Sequence, residues 1–145
     1  MSEFSILVRV YLEDTDAGGI VYYVNYLKFM ERARTELLRT LGFEFGQLGA
    51  DSLQFVVHSV SASYRKPARM DDALTVTANV AQLARTYVVF HQQVRRDDEI
   101  LCDAQIKVAC VDTLNLKPAL LPAPVKDQFS QARLLSGPDQ SEGDN

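Results

Sequence analysis

The sequence predicts an α+β domain in which one curved antiparallel sheet wraps a single long helix. Three observations lead there. Residues 26–41 carry apolar side chains at helical spacing, and the runs after them alternate apolar and polar with a period of two. No other segment matches the first in length and spacing. A striped helix and one-faced strands each need cover, and a sheet curled around the helix buries both at once.

The elements follow in order. Residues 4–12 read as a strand. The chain then breaks at Asp14-Thr15-Asp16, turns through Gly18-Gly19, and resumes as the helix, with Tyr26, Met30, Ala33, Leu37 and Leu41 on one face. Asn25 suits the N-cap and Gly42 the C-terminal stop. Four strands come next. Val56, His58, Val60, Ala62 and Tyr64 alternate with mostly serine, and Leu74, Val76, Ala78 and Val80 with Thr75, Thr77 and Asn79. Val88, Phe90 and Val94 share a face, and Ile100, Cys102, Ala104, Ile106, Val108 and Cys110 form the last stripe. Turns are expected at Lys66-Pro67, near Ala84-Arg85 and at Asp97-Asp98.

The resulting β-α-β-β-β-β order, a five-stranded sheet around one central helix, is the hot-dog architecture. A second helix is expected over 125–135, after Pro118, Pro122 and Pro124. Residues 1–135 read as one domain. From Ser136-Gly137-Pro138 onward the chain is small, polar and acidic, so 136–145 is expected to be a disordered tail.

Composition narrows the function. A chain of 145 residues with 47% hydrophobic and 23% charged residues is globular. Its net charge is -4, of which Asp139, Glu142 and Asp144 supply three negative charges. The body is close to neutral, which argues against broad nucleic-acid binding. No apolar run approaches the roughly 20 residues that span a bilayer. Met1-Ser2-Glu3-Phe4 lacks the pattern of an export signal, so a cytoplasmic location is expected. Cys102 and Cys110 would lie roughly 26 Å apart in a strand, beyond disulfide reach, and read as buried apolar groups.

Most familiar chemistries lack their residues. His58 and His91 sit on separate strands without a ligand pattern and read as structural, so no metal is expected. There is no Gly-x-Ser-x-Gly elbow and no phosphate-cradling glycine loop. The loop of Asp14 and Asp16 is the exception. It sets carboxylates just before the electropositive end of a helix, where backbone amides lack intrahelical partners.

The block Asp14-Thr15-Asp16-Ala17-Gly18-Gly19-Ile20-Val21-Tyr22-Tyr23, with Asn25-Tyr26-Leu27 and Phe29-Met30-Glu31-Arg32-Ala33-Arg34, resembles the 4-hydroxybenzoyl-CoA thioesterase family. Within it the chain is most similar to the Tol–Pal-associated acyl-CoA thioesterases. Phe55-Val56-Val57, Tyr64-Arg65-Lys66-Pro67-Ala68, Asp71-Asp72-Ala73-Leu74 and Lys117-Pro118 with Leu121-Pro122 extend the likeness over residues 5–130.

The resemblance implies hydrolysis of a short- to medium-chain or aromatic acyl-CoA by a homo-oligomer, a dimer of dimers with active sites at the dimer interface. Asp16 would be the catalytic carboxylate, as nucleophile or as general base on water. The Tyr23 backbone amide would hold the oxyanion. Gly19, Ile20, Val21 and Tyr22 would line the substrate site. Coenzyme A also needs cations, for which Arg65, Lys66 and Arg85, with Thr86, are candidates. No cofactor is implied beyond the coenzyme A of the substrate, and acyl carrier protein is a second thioester carrier. Asp14 reads as loop-ordering and Glu31 as the rival acid. Close relatives often carry His in place of Tyr23 and Tyr in place of Leu12. The alternatives are a non-catalytic acyl-CoA-binding protein and an acyl-thioester hydratase or dehydratase.

Overall fold

The computed structural model describes residues 3–43 and 52–135, with the side chains of 134 and 135 excepted. The expected tail over 136–145 lies outside the described residues.

Strand β1 (Ser5–Arg9) leads through a 3-10 turn (Leu12–Asp14) to helix α1 (Val24–Thr40). Then come β2 (Leu53–Tyr64), β3 (Ala73–Thr77), β4 (Asn79–Leu83), β5 (Tyr87–Arg96), β6 (Glu99–Asp112) and helix α2 (Ala123–Leu135). All pairings are antiparallel, in the order β1-β3-β5-β6-β2, with β4 also pairing β5. The α+β hot-dog arrangement expected from the sequence is the one observed. Helix α1 buries Tyr26, Phe29, Met30, Ala33 and Leu37 in the core it shares with the sheet. Its end is a Schellman cap: Gly42 takes φ +93°, its N–H donates to the Arg39 carbonyl, and the Phe43 N–H donates to that of Leu38. Helix α2 closes the rest of the core through Phe129, whose ring lies 6.0 Å from Phe55 and 5.9 Å from Phe90.

Several elements differ from expectation. The sheet has six strands rather than five, because the run 74–80 is broken at Ala78. The Ala78 N–H donates to the Phe4 carbonyl, and the Thr77 hydroxyl accepts from the Gln93 amide. The buried Gln92 side chain donates to the Thr77 carbonyl and to the Met30 carbonyl of α1, and accepts from Arg34. Apolar alternation continues through the break, which is why the sequence pattern conceals it.

Strand β2 departs in its facing. A register shift between Val57 and Ser59 inserts one residue, so side-chain parity reverses there. Before it, Phe55 and Val57 lie opposite the buried Cys110 and Val108; after it, Val60, Ala62 and Tyr64 lie opposite Ile106, Ala104 and Cys102. Val56 and His58 therefore do not share a face with Val60, Ala62 and Tyr64 as the alternation suggested. Strand β1 ends at Arg9, three residues early, where the chain tightens into the 3-10 turn. Both helices start about two residues early, and Asn25 lies inside α1 rather than capping it. Its side chain instead donates to the Asp14 carbonyl at 2.8 Å.

Candidate active site

The loop between β1 and α1 is held from both sides. Asp14 accepts the Tyr11 amide at 2.9 Å, which caps the 3-10 turn, and its own carbonyl accepts from Asn25 and from the Tyr22 amide. Asp14 thus orders the loop, as expected of it. Beyond it the chain forms a small hairpin. The Asp16 N–H donates to the Ile20 carbonyl, and the Gly19 N–H donates back to the Asp16 carbonyl, each at 3.0 Å. Gly19 takes φ +78°, a left-handed conformation that favours glycine.

The hairpin is stitched to the segment after β2. The Val21 N–H donates to the Ala68 carbonyl at 2.8 Å, and the Met70 N–H to the Gly19 carbonyl at 3.1 Å. Tyr26 of α1 grips the same segment, its hydroxyl donating to the Lys66 carbonyl and accepting from the Ala68 amide. Burial pushes the Tyr26 hydroxyl pKa up, partly offset by the Ala68 amide. Asp72 closes the turn by accepting from the Arg69 amide and from Arg96, each at 2.8 Å. Burial alone would lift the Asp72 carboxyl, but those two donors outweigh it and hold the group below the usual range.

Two groups stand out on this frame. Asp16 is exposed, and its carboxylate accepts the Gly18 amide at 2.9 Å, which fixes its rotamer while leaving the other oxygen unengaged among the described residues. Tyr23 is the N-cap of α1, and no described residue accepts from its amide. Around it runs a ladder of phenol rings, with Tyr22–Tyr23 centroids at 5.0 Å, Tyr23–Tyr64 at 5.4 Å and Tyr26–Tyr64 at 5.9 Å.

Residues 18–103 match the family model of the thioesterase superfamily. The chain belongs to that superfamily. An acyl-CoA thioesterase, YbgC, of Haemophilus influenzae is 46% identical over 127 residues, covering 87% of this chain and 93% of its own length. The acyl-CoA thioester hydrolase YbgC of Escherichia coli strain CFT073 is 43% identical over 125 residues, covering 86% and 93%. A solved structure from Aquifex aeolicus superposes with a TM-score of 0.80 at 32% identity, covering 87% of this chain and 98% of that one.

In this thioester hydrolase the residues singled out from the sequence divide into groups. Asp16, Gly19, Ile20, Val21, Tyr22 and Tyr23 come together at the hairpin and the helix start. Arg65 and Lys66 lie on the segment that holds the hairpin, but Lys66 is paired with Glu99 at 2.7 Å. Arg85 and Thr86 are elsewhere. They precede β5, whereas Arg96, which touches Asp72 and Pro67, ends it. That strand separates them from the hairpin's end of the sheet by about 30 Å. The basic group expected from the sequence is therefore not one patch within a chain. Glu31, the rival acid, lines a cleft of about 550 Å³ between β1 and α1, and neither that cleft nor one of about 480 Å³ beside it is lined by Asp16 or Tyr23. His91 pairs with Asp103 at 2.8 Å, in keeping with its structural reading. Sequence reasoning gave no role to Asp72, Arg96 or Gln92, whose bonds to distant segments leave no local periodic trace.

Proposed function

We propose that this thioesterase hydrolyses a short- to medium-chain or aromatic acyl-CoA to the free acid and coenzyme A. The observation that carries the reading is an oriented, exposed Asp16 carboxylate in the hairpin that leads into α1, where the Tyr23 amide has no described acceptor. The Tyr23 N–H, reinforced by the α1 dipole, receives the carbonyl oxygen of the thioester. Asp16 adds to the carbonyl carbon, or removes a proton from the water that does. The oxyanion then collapses, the C–S bond breaks, and coenzyme A leaves as a thiolate that takes up a proton; where Asp16 itself has added, water then hydrolyses the resulting mixed anhydride, releasing the acid and restoring the carboxylate. Loss of one oxyanion donor costs about 3 to 4 kcal/mol in the transition state. Acyl carrier protein presents the same thioester and is a second carrier for this site.

The working unit is proposed to be a homo-oligomer built on β2. That strand is a sheet edge of twelve residues, with neither a charged side chain nor a proline along it. Val57, Val60 and Tyr64 are 51%, 42% and 42% exposed along it. Proteins protect lone edges with charge, proline, brevity or a bulge, and of these β2 has only the bulge. A second copy pairing with it supplies the missing cover.

Thiol release from a panel of short, medium and aromatic acyl-CoAs tests the chemistry. Wild type is expected to turn over, and Asp16→Ala and Asp16→Asn to lose at least about 100-fold in rate while remaining folded. Undiminished activity in both variants would remove Asp16 from the mechanism. Intact acyl-CoA held without turnover would make the protein a binder.

A further inference from the structure

We propose that the acyl pocket is completed in trans, the Leu114–Leu116 loop of a second copy forming the apolar wall for the acyl group processed at Asp16 and Tyr23. The inference rests on the thioesterase reading and on pairing of the two β2 edges, and it goes beyond them by naming what the second copy brings.

The loop has an unusual build. Leu114 is 88% exposed and Leu116 68%, yet the backbone beneath them is firmly tied. The Leu114 N–H donates to the Asp112 carboxylate at 2.7 Å, the Leu116 N–H to the Asp112 carbonyl at 2.7 Å, and the Lys117 N–H to the Asn115 side chain at 2.9 Å. Leu116 takes φ +59°, a conformation that residues with a Cβ rarely adopt. The loop thus presents leucines outward from a fixed frame.

Strand geometry says where they meet a second copy. The loop leaves β6 beside the start of β2, since Leu53 pairs with Asp112 and the Thr113 N–H donates to the Ser52 carbonyl. The other end of β2 carries Tyr64, whose ring touches that of Tyr23. Antiparallel pairing of two β2 strands about their bulge sets Tyr64 of one copy beside Leu53 of the other. Neighbouring strands lie about 4.8 Å apart, so Asp112 at the base of the loop comes within about 10 Å of Tyr64 in the other copy. Thr86 lies one strand further, because its carbonyl accepts from the Cys110 amide, and arrives at about 15 Å. Within its own chain it is twice as far from the hairpin's end of the sheet.

The chemistry of that end fits an acyl-CoA. The leucines suit an acyl group, while Arg85 and Lys117, neither in an ion pair among the described residues, suit the phosphates of the carrier.

Subunit complementation tests the arrangement. One partner is Asp16→Ala; the other carries Leu114→Asp and Leu116→Asp together, changes on exposed positions. Each is expected to be inactive alone. A heterodimer isolated with two different tags contains one site with an intact Asp16 and an intact leucine loop, and is expected to recover about half the wild-type rate per dimer. A heterodimer no more active than its parents, a fully active leucine variant, or a monomeric wild type overturns the proposal. Failure of wild type to release thiol from any acyl-CoA, read before mixing, overturns the thioesterase reading itself and this proposal with it. Leu114→Ala with Leu116→Ala, which adds no charge, is expected to raise KM about tenfold for the longest acyl chain accepted and little for the shortest; an equal loss on all chains counts against the wall.

Discussion

Tyr26 shows how much of the site's frame depends on a single side chain. Its hydroxyl satisfies a carbonyl and an amide of the segment that receives the Asp16 hairpin, and Ala68, which donates to it, is itself buried. Tyr26→Phe keeps the ring and strands the Ala68 N–H. A buried amide left without an acceptor costs about 1 to 3 kcal/mol, so the urea midpoint is expected to fall accordingly with the fold retained. Cys102 makes the opposite case. Burial, with Asp103 adding to it, pushes its thiol pKa up to about 12 against a smaller opposing effect of Arg65. It is expected to resist thiol reagents at pH 8 until the protein is unfolded, as a titration with and without denaturant would show. At this scale the site was legible where chemistry and sequence are adjacent, as in Asp14 to Tyr23. Gln92 was not, because its partners Thr77, Met30 and Arg34 are brought to it only by the fold.

Among the elements, the turn from Lys66 to Asp72 is the one on which the site rests. Asp72 is its clasp, and the depressed carboxyl has a consequence for acid stability. A carboxyl whose folded pKa lies below its unfolded value of 3.8 stabilises the fold above that value, and loses this contribution as pH falls from there through the folded pKa. Asp72→Asn is expected to be less stable than wild type by roughly 1 kcal/mol at neutral pH, with the difference shrinking as pH falls from 3.8 through the lower folded pKa. Urea melts across that range measure it. The long helix, the turns and the alternation of β5 and β6 were readable because they depend on local spacing. The break at Ala78 and the bulge of β2 were not. Both are defined by the neighbouring strand, which a one-dimensional pattern does not contain.

For the molecule as a whole, the contrast between the two strands that end the sheet order, β1 and β2, is informative. β1 is five residues long and ends in Arg9, whereas β2 is long and uncharged. Only the second is built for company. Val57→Lys and Val60→Lys place on that edge the charge by which lone strands avoid pairing. Each variant is expected to sediment as a smaller species than wild type and to lose most thiol-releasing activity, while keeping its far-ultraviolet circular dichroism. An unchanged sedimentation coefficient would move the interface elsewhere. An interface between subunits was expected from family resemblance; proposing β2 as its seat required the strand order.

The amide of Gln92 ties the Met30 carbonyl of the helix to the Thr77 carbonyl at the bend of the sheet. The position of α1 along the sheet is thereby set by directional bonds as well as by the bulk of the side chains between them. A change in the size of an apolar neighbour is therefore expected to slide the helix, and with it the hairpin, less than it would if packing alone held them. One interior amide thus acts as a register pin between helix and sheet, holding the start of α1 and the Asp16 hairpin in place.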